Sequence, residues 1–391
     1  MLTFKTFIIE ATDGKLTHLT HTEDTLFNGH AHTAIRALKD VHEKIQGGNN
    51  NTTVSTKYDG APSIVYGHHP ETGKFFVATK SAFNVNPKIN YSENDIDKNH
   101  GHAPGLANKL KTALQHLPKI TPKKGVFQGD MMHTKSDMSI EGGKVNFTPN
   151  TITYKTSRQS EEGRKAQRSE MGIVTHTEYK GSTIDNMRAA PISNNPLGTH
   201  RDVHQIDPAI NFKDVKHTPE TKSSFQTHIT KADKQLKTQP QEFHNAIQHH
   251  AAHLETYINS TVRDQSTPST AGYKKFLTNK GQKEVDSVKT PKAKEQKQSV
   301  SNDRLEHVNA NKQHFDNAFQ IHSHIQHAKN ALVDALSNSS SFEHEIAGQK
   351  TKPEGFVASH NGNMLKLVDR SEFSRQNLLA GGIKKTKEVQ K

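Results

Sequence analysis

Two short runs of alternating apolar character, Val54-Ser55-Thr56 and Ser63-Ile64-Val65-Tyr66, enclose the tetrapeptide Lys57-Tyr58-Asp59-Gly60. Alternation with period two predicts a strand on either side. Lysine is a poor strand former and is ordinarily a solvated surface charge. Held on or beside a strand, with an acid two residues on and a glycine after it, Lys57 reads as a candidate nucleophile. A protonated amine is inert, so such a site has to lower the lysine pKa by burial or by a second cation. The same four residues also read as a strand running into an Asp-Gly turn.

Other pieces lie downstream in a fixed order. The strand Phe75-Phe76-Val77-Ala78 is followed by Lys80-Ser81, and His68 to Lys74 has turn composition, so Val54 to Ser81 reads as strand, loop, strand with Lys57 on one arm and Lys80 on the other. Gly125-Val126-Phe127-Gln128-Gly129-Asp130 reads as a short apolar strand ending in Gly-Asp. Further on, Glu354-Gly355-Phe356-Val357-Ala358 and Met364-Leu365-Lys366-Leu367-Val368 flank Asn361-Gly362, a strong hairpin signal. Such a hairpin would set Glu354 and Lys366 on neighbouring strands.

In this order the pieces resemble the motifs of the covalent nucleotidyltransferases: ATP-dependent DNA and RNA ligases and mRNA capping enzymes. Lys57, Asp59 and Gly60 match the Lys-x-Asp-Gly motif, Lys80-Ser81 the element after it, Gly129-Asp130 the Gly-Glu strand end, Glu354-Gly355-Phe356-Val357 the Glu-Gly motif, and Lys366 the first lysine of the final Lys-x-Lys strand. The chain also looks like a group of tailed-phage proteins sharing Lys-x-Asp-Gly-x-Pro-Ser and His-Thr-Glu-Tyr-Lys-Gly runs. There are departures: Asp130 replaces glutamate, Val368 stands where the second lysine belongs, and Pro62 stands where DNA ligases usually carry arginine.

The resemblance implies an α+β fold, a nucleotidyltransferase domain of ATP-grasp-like antiparallel sheets with flanking helices. It implies ATP and Mg²⁺ as cofactors, with Lys57 attacking the α-phosphate and Lys366 stabilising its charge. Glu354 and Asp130 would hold the metal, and Asp59, Gly60, Lys80, Asp130 and Val174 the nucleotide, with His176 as the alternative to Val174 at the base. AMP would pass to a 5′-phosphate and leave as a 3′-hydroxyl seals the strand, RNA slightly favoured over DNA, in repair of nucleic acid. The competing expectation is a catalytically weakened fold serving as a phage nucleic-acid-binding or assembly protein; loss of the second lysine favours it. The 25 residues after Lys366 are too few for the OB-fold domain that DNA ligases and capping enzymes append, so no C-terminal OB domain is expected.

Composition sets the rest. Only 31% of the 391 residues are apolar and tryptophan is absent, which suits a modest core plus a large polar helical segment. The formal net charge of +12 points to a polyanionic partner, nucleic acid rather than membrane. With no cysteine, disulfides, thiolate zinc sites and cysteine nucleophiles are excluded. No run approaches transmembrane length and the N-terminus lacks a signal-peptide pattern. The expectation is a soluble monomer in the cytoplasm of an infected host cell.

Along the chain, Met1–Glu10 reads as a short helix or strand. A helix is predicted over Ala31–Ile45, supporting the sheet of Lys57 and ended by Gly47-Gly48. Asn84–His102 reads as a polar loop, Pro104–Leu117 as a helix, Phe147–Tyr154 and Met171–Tyr179 as strands, and Ser157–Glu170 as a short helix between them. The domain reading is a core over residues 1–211, a basic helical insertion over 212–349, the last core strands over 350–375 and a basic tail over 376–391. The insertion's charge suggests a grip on a nucleic-acid backbone, and its Lys-rich part Ser266–Ser301 reads as flexible. The clusters His249-His250-His253 and His322-His324-His327 are read as solvated helix faces, not zinc sites.

Overall fold

The computed structural model of the protein describes residues 19–192, 195–360 and 363–373. The element expected at Met1–Glu10, the Asn361-Gly362 turn and the basic tail lie outside them. The strands are β1 (Thr53–Lys57), β2 (Ser63–His68), β3 (Phe75–Ala78), β4 (Val126–Thr134), β5 (Met138–Glu141), β6 (Lys144–Phe147), β7 (Thr153–Ser157), β8 (Met171–Lys180), β9 (Arg188–Pro191), β10 (Val203–Gln205), β11 (Glu343–Ile346), β12 (Gln349–Thr351), β13 (Gly355–His360) and β14 (Asn363–Leu367). The helices are α1 (Ala31–Ile45), α2 (Glu93–His100), α3 (Pro104–His116), α4 (Glu161–Arg168), α5 (Pro219–Lys237), α6 (Gln241–His249), α7 (Ala251–Arg263), α8 (Thr270–Asp286), α9 (Pro291–Ala310) and α10 (Lys312–Leu336). The fold is mixed α+β with antiparallel sheets. It divides into two compact units, one built from Ser55–Ile210 and Ser339–Gly355, the other from Thr20–Val54, Asn211–Asn338 and the residues from Phe356 on.

In the first unit a six-stranded sheet has the order β10-β8-β4-β2-β3, with β9 also on β8. Its pairs are antiparallel except β10, which runs parallel to β8. One face is covered by α3, whose Ala107, Leu110 and Ala113 bury against Ile64, Tyr66, Phe127 and Ile173 together with Ile96 of α2. Pro104 at the first turn of α3 has the φ a helix start needs and no N–H to leave unsatisfied. A second, five-stranded antiparallel sheet has the order β12-β11-β7-β6-β5. Its core is aromatic, with Phe147, Tyr154 and Phe342 in mutual ring contact.

Several local expectations are corrected here. β1 lies outside both sheets of this unit, so Lys57 and Lys80 are not on two arms of one hairpin; the hairpin is β2–β3. The Gly-Asp strand does not end at Asp130 but runs on to Thr134, with Met131 and His133 both buried. Phe147 and Tyr154 belong to two strands joined by a turn, paired opposite each other. The polar stretch before α3 contains α2, started by a capping box in which Ser92 and Asp95 satisfy each other's backbone N–H groups.

In the second unit α10 is the central helix. It packs against α5, α1 and the 3-10 turn Thr22–Leu26. Phe225, Ile229, Ala232 and Leu236 form the buried stripe of α5, and Ala34, Ile35, Leu38 and Val41 that of α1. The His42 ring stacks on Phe225, centroids 4.3 Å apart. α1 therefore serves this helical unit, where apolar helix faces need covering. The expected flexible stretch is also helical: Ser269 caps α8, Thr290 caps α9 with Pro291 in its first turn, and Tyr273 and Leu277 bury. β13 and β14 pair antiparallel with Val357 opposite Lys366.

A buried ionic network ties this unit together. The Lys329 ammonium, fully buried, donates to both carboxylate oxygens of Glu23 at 2.9 and 3.0 Å. Arg370 pairs with Asp24, which also takes a hydrogen bond from His322 Nε2 at 2.9 Å. Burial pushes the Glu23 and Asp24 carboxyls up, but these cations and hydrogen bonds outweigh it and hold both below the usual range.

Candidate functional site

Lys57 closes β1, which is anchored in the first unit by the Thr56 amide donating to the Pro208 carbonyl at 2.7 Å. Its ammonium forms an ion pair with Glu354, the residue just before β13. Lys57 is about one-third exposed and Glu354 is buried, so the pair sits at the edge of solvent. Hairpin pairing covers the residues from Phe356 on, so Glu354 stands before the strand rather than across from a neighbour on it.

The three residues after Lys57 each take a separate anchor. Tyr58 turns into the aromatic core of the second sheet, 5.6 Å from Tyr154 and edge-on to Phe342 at 6.2 Å. Asp59 binds the β6–β7 turn: one carboxylate oxygen accepts from Asn150 Nδ2 at 2.8 Å, the other from the amides of Thr151 and Ile152 at 2.9 and 3.3 Å. Its own amide donates to the Tyr154 hydroxyl at 2.7 Å. Gly60 lies against β4, where a Cβ would come within 2.7 Å of Asp130 Cβ and 2.9 Å of Met132 Sδ. Only glycine allows that approach. The Ala61 amide then donates to Met131 O and the Met131 amide to Pro62 O, at 2.9 and 3.0 Å, leading the chain into β2.

Asp130 stands mid-strand on the sheet face away from α3, opposite Ser63 of β2 and Val174 of β8. His176 Nε2 lies 3.5 Å from its carboxylate, brought there by the register shift of β8 against β4 between Gln128 and Gly129. Burial raises the Asp130 pKa, but hydrogen bonds from His176 and Ser63 and the positive charges of His176 and Lys57 outweigh it, so the carboxyl is held below its usual range. Gln128 donates to Ser63 Oγ at 2.8 Å and accepts from the Tyr179 hydroxyl at 2.5 Å, extending the polar row.

The structure thus brings Lys57, Glu354 and Asp130 into one neighbourhood, with Gly60 against Asp130. Val174 lines the same face but is buried, while His176 is exposed. Lys80 is exposed at the head of a 3-10 turn after β3. The Asp59 carboxylate is engaged by the turn at 150–152 and tethers that loop, its Oδ1 accepting a single hydrogen bond. Lys366 lies in the second unit, its carbonyl accepting from the Thr22 hydroxyl at 2.9 Å. Val368 there is buried.

Tyr58, Tyr154, Ser63 and Gln128 were not singled out from sequence. Tyr58 carried a signal, an aromatic residue inside the motif itself. Among the described residues no three His, Asp or Glu side chains gather as a metal site. Two carboxylates do suit Mg²⁺ arriving on a polyphosphate, since that ion keeps water and phosphate oxygens as its other ligands. No helix among the described residues is long and apolar enough to cross a membrane. No curated protein and no solved structure matches the chain. A family profile does match, over residues 16–381, so the chain belongs to the family of unknown function DUF6267.

Proposed function

We propose that the first unit is a covalent nucleotidyltransferase of the ATP-dependent polynucleotide ligase type, with Lys57 as nucleophile. The observation that carries this reading is the ion pair between Lys57 and Glu354, which come from two motifs 297 positions apart. A structural surface pair has no need of a buried glutamate, a lowered Asp130 and a glycine pressed against it.

Once its proton has passed to solvent, Lys57 Nζ attacks the α-phosphorus of ATP. A phosphorus–nitrogen bond forms as the bond to the β-phosphate oxygen breaks, and pyrophosphate leaves. A 5′-phosphate oxygen then displaces the lysine and takes the AMP, and a 3′-hydroxyl displaces AMP to seal the strand, RNA slightly favoured over DNA. Glu354 and Asp130 would hold Mg²⁺, which neutralises phosphate charge. Glu354 keeps the lysine amine in place, and His176 and Ser63 keep Asp130 ionised.

A second reading is a catalytically weakened nucleotidyltransferase scaffold that serves as a phage nucleic-acid-binding or assembly protein. The buried Val368 at the place of the second motif lysine favours it.

Incubation with α-³²P-labelled ATP and Mg²⁺, beside labelled GTP, decides between them. The expected result is an acid-labile, ATP-specific labelled protein, lost in Lys57→Ala; Lys366→Ala tests the role implied for that lysine. Folded protein that takes no label with either nucleotide overturns the enzyme reading.

A further inference from the structure

α8 and α9 form a helical hairpin whose base and tip differ in kind. At the base Tyr273, Leu277 and Val308 are buried. Gly281 and Ser301 then meet so closely that a Cβ on Gly281 would lie 1.9 Å from Ser301 Oγ, and Arg304 donates to Glu284 at 2.9 Å. Beyond that level no residue from Gln282 to Val300 is buried. The first ten residues of α9 have no apolar face to cover, so among the described residues this part of the helix is held by its cap and by α8. At 1.5 Å per residue the projecting part is about 15 Å long.

Its charge is net positive. The projecting residues 282–300 hold five lysines against three acids. One of the acids, Glu284, is already paired with Arg304. Lys283, Lys289, Lys292, Lys294 and Lys297 are all exposed on the tip. Beside them in sequence stand Gln282, Gln296, Gln298 and Ser299, residue types that hydrogen-bond phosphate and sugar oxygens.

We propose that this hairpin is an arm that binds the phosphodiester backbone of a nucleic acid. Charge complementarity selects the partner. An arm of about 15 Å spans roughly four phosphates of one strand at 3.4 Å each. A protein partner would call for aromatic or arginine anchors in an apolar patch, and the tip carries none. A membrane surface would call for an apolar helix face, which α9 lacks. The assignment does not depend on adenylyl chemistry at Lys57.

The test uses the full chain with a fluorescent 30-nucleotide strand and its duplex, followed by anisotropy across a KCl series. The comparison is a variant carrying Lys283→Gln, Lys289→Gln, Lys292→Gln, Lys294→Gln and Lys297→Gln. The expected result is binding at least tenfold weaker and a salt slope reduced by about 3, as for three or more lost phosphate contacts. The series is run without ATP and Mg²⁺, so that binding is read with no adenylyl chemistry, which separates this result from the fate of the ligase reading. Unchanged affinity and slope, in a variant with wild-type helical circular dichroism, overturns the proposal. So does equally tight wild-type binding to polyglutamate or to phosphatidylserine vesicles, since the arm would then not select nucleic acid.

Discussion

Lys57 and Glu354 form an ion pair in the first unit although 297 residues separate them in sequence. The glutamate is buried and the lysine is partly open to water, so the two should respond differently to mutation. Glu354→Gln is expected to cut lysyl-AMP formation by at least about a hundredfold, as losses of positioned charge at reacting phosphates do. Stability should change by less than about 1 kcal/mol, because the amide keeps a hydrogen bond to an ammonium already partly open to water. Rapid-quench labelling and thermal unfolding of the same preparation measure the two effects.

Asp59 is a structural tether in this molecule. Its carboxylate accepts two backbone amides and one side-chain amide from residues 150–152. Asp59→Ala leaves those donors unmet and should cost about 1–3 kcal/mol in urea unfolding. A variant that lost activity while unfolding at the wild-type urea concentration would place Asp59 on the substrate after all.

The Glu23–Lys329 pair offers a contrast between breaking and replacing a buried ion pair. Lys329→Met strands a carboxylate in the core and should destabilise by about 3–5 kcal/mol. The double variant Glu23→Leu with Lys329→Met removes both charges and should recover most of that loss. Urea midpoints of wild type, single and double variants give the comparison.

Acid should weaken the fold through its histidines. Burial, helped by neighbouring His204, lowers His133 to about 3, and burial alone lowers His344 to about 4. In the second unit burial and adjacent cations lower His21 and His250 to about 3. These groups stay neutral when folded and take up a proton near pH 6.5 when unfolded. The unfolded state therefore binds more protons from about pH 6.5 down to about 4, and stability falls as pH falls through that window. Each histidine contributes up to about 1.4 kcal/mol per pH unit there. Scanning fluorimetry between pH 8 and 4 should show a plateau above pH 7 and a steep decline below 6.5; a flat profile would contradict the burial.

Elements with local signals are legible from the residues alone. Apolar spacing marked α1 at its observed limits, Pro104 marked the start of α3, alternation marked β2 and β8, and a short apolar run marked β3. Spacing and motif order also singled out Lys57, Asp130 and Glu354, which the first unit brings together. Only the tertiary structure decided what each of them touches. Asp59 carries a motif signal, and it is the β6–β7 turn that reaches its carboxylate. His176 meets Asp130 because β8 shifts register against β4, and no local pattern announces that. The polar run before α1 gave no hint that Glu23 and Asp24 would be buried with Lys329 and Arg370, some three hundred residues on. Propensity and periodicity act over a few residues, whereas a charge in the core is settled by whichever distant partner offsets its lost hydration.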